Sequence, residues 1–97
     1  MGTLFRRIQS LVERERYLVG LHASERLEER GILEWQVVAG LKDGELILER
    51  LDSRNNPVIE VRESLPDGTE FKAVWSYLNR NDIAKLVTVH FFDGTSS

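Results

Sequence analysis

The chain contains no cysteine. Disulfides and thiolate metal sites are therefore excluded, and a cytoplasmic location is the expectation. Only two histidines occur, His22 and His90, and they form no HxxxH pair. A metal site needs several imidazoles or carboxylates converging, so none is expected. A Gly-rich phosphate loop, a GxSxG elbow and a dinucleotide fingerprint are all missing, so no cofactor is expected. No run is apolar over the roughly 20 residues that a membrane span needs. The N-terminus lacks the basic-then-apolar layout of a secretion signal, since Arg6 and Arg7 follow the first apolar residues and Glu13 comes soon after. A basic excess is missing too. The net charge is −3, and residues 1–30 hold six Arg against five Glu, so the acid surplus lies in the later part. Proteins that grip nucleic acid mainly through phosphates carry a clear basic surplus. That disfavours non-specific nucleic-acid binding and leaves room for a small basic pocket.

What is present suffices for one domain over residues 1–97, with 41% hydrophobic residues to build one core. Thr3 to Arg16 reads as a helix, because Leu4, Phe5, Ile8, Leu11 and Val12 recur at helical spacing. Thr3 is placed to cap its start. The stripe either docks on the core or joins a partner or a second copy. Tyr17 to Leu21, broken by Gly20, reads as a strand. A short charged helix follows through Arg30, and Gly31 suits the left-handed residue that ends helices. A third helix spans Glu34 to Lys42, with Val37, Val38 and Leu41 as its apolar stripe and Trp35 beside it. It carries no Arg or Asn set to read bases, so a helix-turn-helix is discounted.

From Gly44 onward the hydrophobic period changes to two. Strands are expected over Glu45–Asp52, Val58–Leu65, Glu70–Tyr77 and Ala84–Phe92, with loops at residues 53–57, 66–68 and 79–82. On the last strand, alternation sets Val87, Val89 and Phe91 against Leu86, Thr88, His90 and Phe92. Residues 93–97 read as a disordered tail. The expected fold class is α+β, in the order α-β-α-α-β-β-β-β. Two to three N-terminal helices pack on one face of a curved, largely antiparallel sheet. The α+β core spans residues 17–92.

The chemistry-bearing residues centre on LHASERLEERGI, Leu21 to Ile32. At helical spacing His22, Arg26 and Glu29 fall within about 60° of one another, with Arg30 on the flank. Metal-free RNA cleavage needs a base for the 2′-hydroxyl, a cation for the phosphorane and an acid for the leaving oxygen. His22, Arg26, Arg30, Arg62 and His90 are of those types. The plainer reading stands beside it. His22 bonds backbone groups, Arg26 pairs with Glu29 or Glu25, and Arg30 pairs with a sheet carboxylate. His90 is then a half-buried sheet residue, and Trp75 and Tyr77 are core rather than base-stacking platforms.

The run His22-Ala23, Arg26, Arg30-Gly31-Ile32, followed by a helix, Gly44 and a β meander, resembles a small bacterial family of uncharacterised proteins. That family in turn resembles the RelE/ParE-type toxins, which group with barnase-like and colicin-type ribonucleases. The resemblance covers about residues 17–92. It implies two helices on a curved antiparallel sheet and a toxin-like domain acting as a metal-free ribonuclease. His22, Arg26 and Arg30 match the motif and are the implied catalytic residues. RelE-like toxins place basic and aromatic residues on the sheet. Here the sheet offers Arg62, Lys72, Tyr77 and His90, and Arg62, Tyr77 and His90 are taken as RNA contacts. The implied partners are RNA and an antitoxin-like protein, with no membrane. The alternative is a non-catalytic interaction or dimerisation module of the same fold.

Overall fold

A computed structural model describes residues 2–51 and 56–92. The expected tail at residues 93–97, most of the expected loop at residues 53–57, and Asp52 lie outside the described residues. Eight elements follow in the expected order: α1 (Thr3–Glu13), β1 (Tyr17–Val19), α2 (Leu21–Arg30), α3 (Glu34–Leu41), β2 (Glu45–Arg50), β3 (Val58–Ser64), β4 (Glu70–Leu78) and β5 (Ile83–Phe91). The strands form one sheet in the order β1-β5-β4-β3-β2. β2 to β5 form an antiparallel meander, while β1 runs parallel to β5. The fold class is α+β.

The apolar stripe of α1 is buried at Leu4, Ile8, Leu11 and Val12. Two details at its ends differ from expectation. Thr3 lies inside the helix and caps nothing; Gly2 holds the cap position at φ 76°. The orphan N–H of Phe5 is satisfied from a distance, donating to Glu49 Oε2 on β2 at 3.1 Å. At the other end the helix stops at Glu13 rather than Arg16. The chain turns there, with Glu15 left-handed at φ 62° and the Arg16 N–H bonded to the Leu11 carbonyl at 2.8 Å.

β1 and α2 form one continuous unit along β5. Tyr17, Leu18 and Val19 pair with Ala84, Lys85 and Leu86, and the Gly20 N–H reaches the Leu86 carbonyl at 3.0 Å. A Cβ on Gly20 would stand 3.2 Å from that carbonyl oxygen. α2 starts at the next residue and buries Ala23 and Leu27. Gly31, at φ 68°, ends it as expected, and the Ile32 N–H closes back on the Leu27 carbonyl at 3.0 Å. Leu33 has no polar side chain to cap α3. Instead Gln36 reaches back, and its Oε1 accepts the Leu33 N–H at 3.0 Å.

All three helices contribute to one core with Ile59, Val61, Phe71, Ala73, Trp75, Ala84, Leu86 and Val89 from the sheet. The faces of β5 differ from simple alternation. Val74 pairs with Thr88 but Trp75 pairs with Leu86, so Val87 is an extra residue. That bulge puts Leu86 on the same inward face as Val89 and Phe91, not opposite them. A similar extra residue, Ile47, interrupts β2.

Candidate functional site

The register of three strands builds a basic row on the sheet face turned away from the core. Arg62 on β3 pairs with Lys72 on β4, and Lys72 pairs with His90 on β5. Inward-facing Val61, Ala73 and Val89 alternate with them along the same strands. Directly paired side chains on one face stand about 5 Å apart, so the two cations and the imidazole are contiguous. Two residues before His90, on the same face, the Thr88 hydroxyl is buried without a hydrogen-bond partner among the described residues.

α2 brings a second set of cations to the end of that row. His90 is exposed rather than half-buried. Partial desolvation by its neighbours is still the first cause that lowers its pKa below the ordinary value; the charges of Lys72, Arg30, His22 and Arg26 follow. One imidazole therefore feels all three motif residues of α2 and its cross-strand neighbour together. It is held neutral to lower pH than a free histidine, with a lone pair available at neutral pH. His22 is exposed and makes no hydrogen bond among the described residues, so it does not serve as a backbone anchor.

Each cation has a carboxylate within reach. Arg26 bonds Glu29, as expected. Arg30 pairs with the same Glu29 at 3.5 Å, not with a sheet carboxylate. Its guanidinium lies 5.9 Å from the centre of the Phe91 ring, and its buried Nε has no acceptor. Lys72 pairs with Glu60 at 3.3 Å, and Arg50 shares that carboxylate at 3.1 Å. Arg62 lies between Glu70 at 3.2 Å and Glu45 at 3.7 Å, over the Phe92 ring.

Of the residues singled out from sequence, His22, Arg26, Arg30 and His90 gather here, with Arg62 at the far end of the row. Tyr77 does not join them. It stands five residues along β4 from Lys72, about 17 Å at strand rise. There it faces the core side, pairs with Ala84, and its hydroxyl donates to Asp82 Oδ1 at 2.7 Å under the Arg7 guanidinium. Trp75 is fully buried in the core, with Tyr17 edge-on at 6.1 Å. Lys72 is the residue that sequence reasoning left without a role. Its signal is its register opposite His90, which only strand pairing reveals. Among the described residues, no group of three or more His, Asp or Glu is placed to hold a metal ion, and no helix is long and apolar enough to cross a membrane.

A different titratable group sits on the inward face. Glu63 is 2% exposed, and neither carboxylate oxygen has a partner. It lies beneath Gly40 of α3, where a Cβ would come within 2.5 Å of its Oε1. Burial pushes its pKa up to about 8. The pattern was readable in sequence, because Ile59, Val61 and Glu63 share one face of a strand.

No curated protein and no solved structure matches the chain. One family profile matches residues 20–91. The span begins at the glycine before α2 and ends at the last residue of β5, so it takes in the whole basic cluster. The chain belongs to the family described as domain of unknown function, DUF4258.

Proposed function

We propose that the basic face around His90 binds RNA phosphate, and that the domain is a toxin-like, metal-independent endoribonuclease of the RelE/ParE type acting in the cytoplasm. The observation that supports this is the strand register that sets Arg62, Lys72 and His90 side by side on one sheet face, with Arg30 of α2 against Phe91, the next residue along β5. In this reading His90, neutral at working pH, takes the proton of a 2′-hydroxyl. The freed oxygen attacks the adjacent phosphorus, and Arg26, Arg30 and Lys72 stabilise the phosphorane charge. His22 gives its proton to the leaving 5′-oxygen. The products are a 2′,3′-cyclic phosphate and a 5′-hydroxyl, and a proton exchange with water resets both imidazoles. Arg62 holds a flanking phosphate; Tyr77 lies outside the site. An antitoxin-like protein would bind over this face and block it.

The test is incubation of end-labelled RNA with purified protein in excess chelator. The expected result is cleavage to cyclic-phosphate ends, slowed roughly 100-fold or more in His90→Ala and in His22→Ala. Absence of cleavage by wild type, or cleavage by either variant at the wild-type rate, refutes the reading. A second reading is a non-catalytic interaction or dimerisation module. It is favoured by the apolar residues on and just after the edge strand β2, where Ile47, Leu48 and Leu51 are 43%, 40% and 64% exposed. It requires a dimer or a co-purifying partner by light scattering; a strict monomer alone in solution removes it.

A further inference from the structure

One carboxylate oxygen holds both arginines of α2. Glu29 Oε1 bonds Arg26 Nη1 and lies 3.5 Å from Arg30 Nη1. The Arg26 and Arg30 side chains are 30% and 27% exposed, whereas Glu29 is 57% exposed. The two arginine side chains are thus the more covered members of the trio, and the glutamate is the more exposed one. An oxygen shared between two guanidiniums has the charge and the contacts of a phosphoryl oxygen in an arginine clamp. Glu60, which holds Lys72 and Arg50 at the other side of the cluster, differs: it is 13% exposed, locked between two cations.

We propose that Glu29 is a built-in occupant of a phosphate seat, and that the Arg26–Arg30 pair takes a phosphodiester only when the Glu29 side chain swings out. This rests on the reading of the basic face given above and deepens it. Exposed ion pairs are weak and cost little to open, so Glu29 acts as a gate rather than a block. The entering anion must offer more than Glu29 does. A phosphodiester in an RNA strand brings two free oxygens and is tethered to flanking phosphates that Lys72 and Arg62 can engage; an isolated carboxylate has the same two oxygens and charge but no such neighbours. The seat therefore favours a phosphate strand over a lone anion and keeps the arginines neutralised when no RNA is present.

The test compares wild type, Glu29→Gln and Glu25→Gln for binding a fluorescently labelled single-stranded 2′-O-methyl oligoribonucleotide, which has no 2′-hydroxyl to attack, by anisotropy at low salt. Glu25 is exposed on the same helix, and its substitution makes the same change in net charge. The expected result is about fivefold tighter binding for Glu29→Gln and less than about twofold for Glu25→Gln, the scale of released exposed ion pairs. Equal tightening by both variants overturns the seat, because net charge alone then explains it. Weaker binding by Glu29→Gln also overturns it, since Glu29 would then be orienting the arginines. Equal affinity in all three proteins removes the gate and leaves the basic face standing. No binding by any of them removes both.

Discussion

Glu63 gives the sharpest quantitative prediction. Its carboxyl is sealed between β3 and Gly40 of α3, with no donor to either oxygen. Burial alone raises its pKa from an ordinary 4.5 to about 8. The folded protein therefore keeps a proton that the unfolded chain releases. The Glu63 contribution to stability is complete below 4.5, falls as pH rises between 4.5 and about 8, and is lowest above that. Each tenfold difference in proton affinity is worth about 1.4 kcal/mol, so the fall amounts to about 5 kcal/mol. Outward rotation of the side chain caps the loss at the cost of opening the α3 contact. For a domain this size a change of 1 kcal/mol moves Tm by about 4–8 °C, so wild type should lose more than about 10 °C between pH 5 and pH 9. Glu63→Gln keeps the shape without the charge, so its Tm should be nearly flat over that range and higher than wild type at pH 8. His90, with its lowered pKa, contributes an opposite trend near the acid end, but it does so equally in both proteins. Parallel melting profiles for wild type and Glu63→Gln would refute the argument from burial.

Gly40→Ala places a methyl 2.5 Å from Glu63 Oε1; it should destabilise by about 1–3 kcal/mol in urea unfolding, and by clearly less when Glu63 is also Ala. Glu49→Ala removes the acceptor for the Phe5 N–H at the start of α1; a loss of about 1 kcal/mol is expected, whereas Thr3→Ala should be near neutral. Lys72→Ala removes the largest of the charges that depress the His90 pKa; an NMR titration of the His90 ring should show it moving up toward the ordinary value.

The element order was legible because the hydrophobic period changes from helical to alternating near Gly44, and because Gly31 and Pro66-Asp67-Gly68 mark real breaks. The errors have distinct physical causes. α1 ends three residues short of the expected boundary at Arg16, and nothing in its apolar stripe announces a left-handed Glu15. Its cap was assigned to the nearest hydroxyl, whereas the acceptor is Glu49, 44 residues away in sequence. The faces of β5 were crossed by the Val87 bulge, a register event without a residue signature. At the site, helical spacing alone put His22, Arg26 and Arg30 on one side of α2. That His90 lies beside them, that Lys72 stands between His90 and Arg62, and that Tyr77 is remote all depend on strand register. The partner of Arg30 is instead local: Glu29, the preceding residue of the same helix, rather than a sheet carboxylate.

The most direct test of the central claim is NMR mapping of a short single-stranded 2′-O-methyl oligoribonucleotide titrated onto the labelled protein. The account predicts chemical-shift changes concentrated at His22, Arg26, Arg30, Lys72 and His90, fading along the row toward Arg62. Changes confined to β2 or to the Tyr77 end of β4, or none at all, would contradict it.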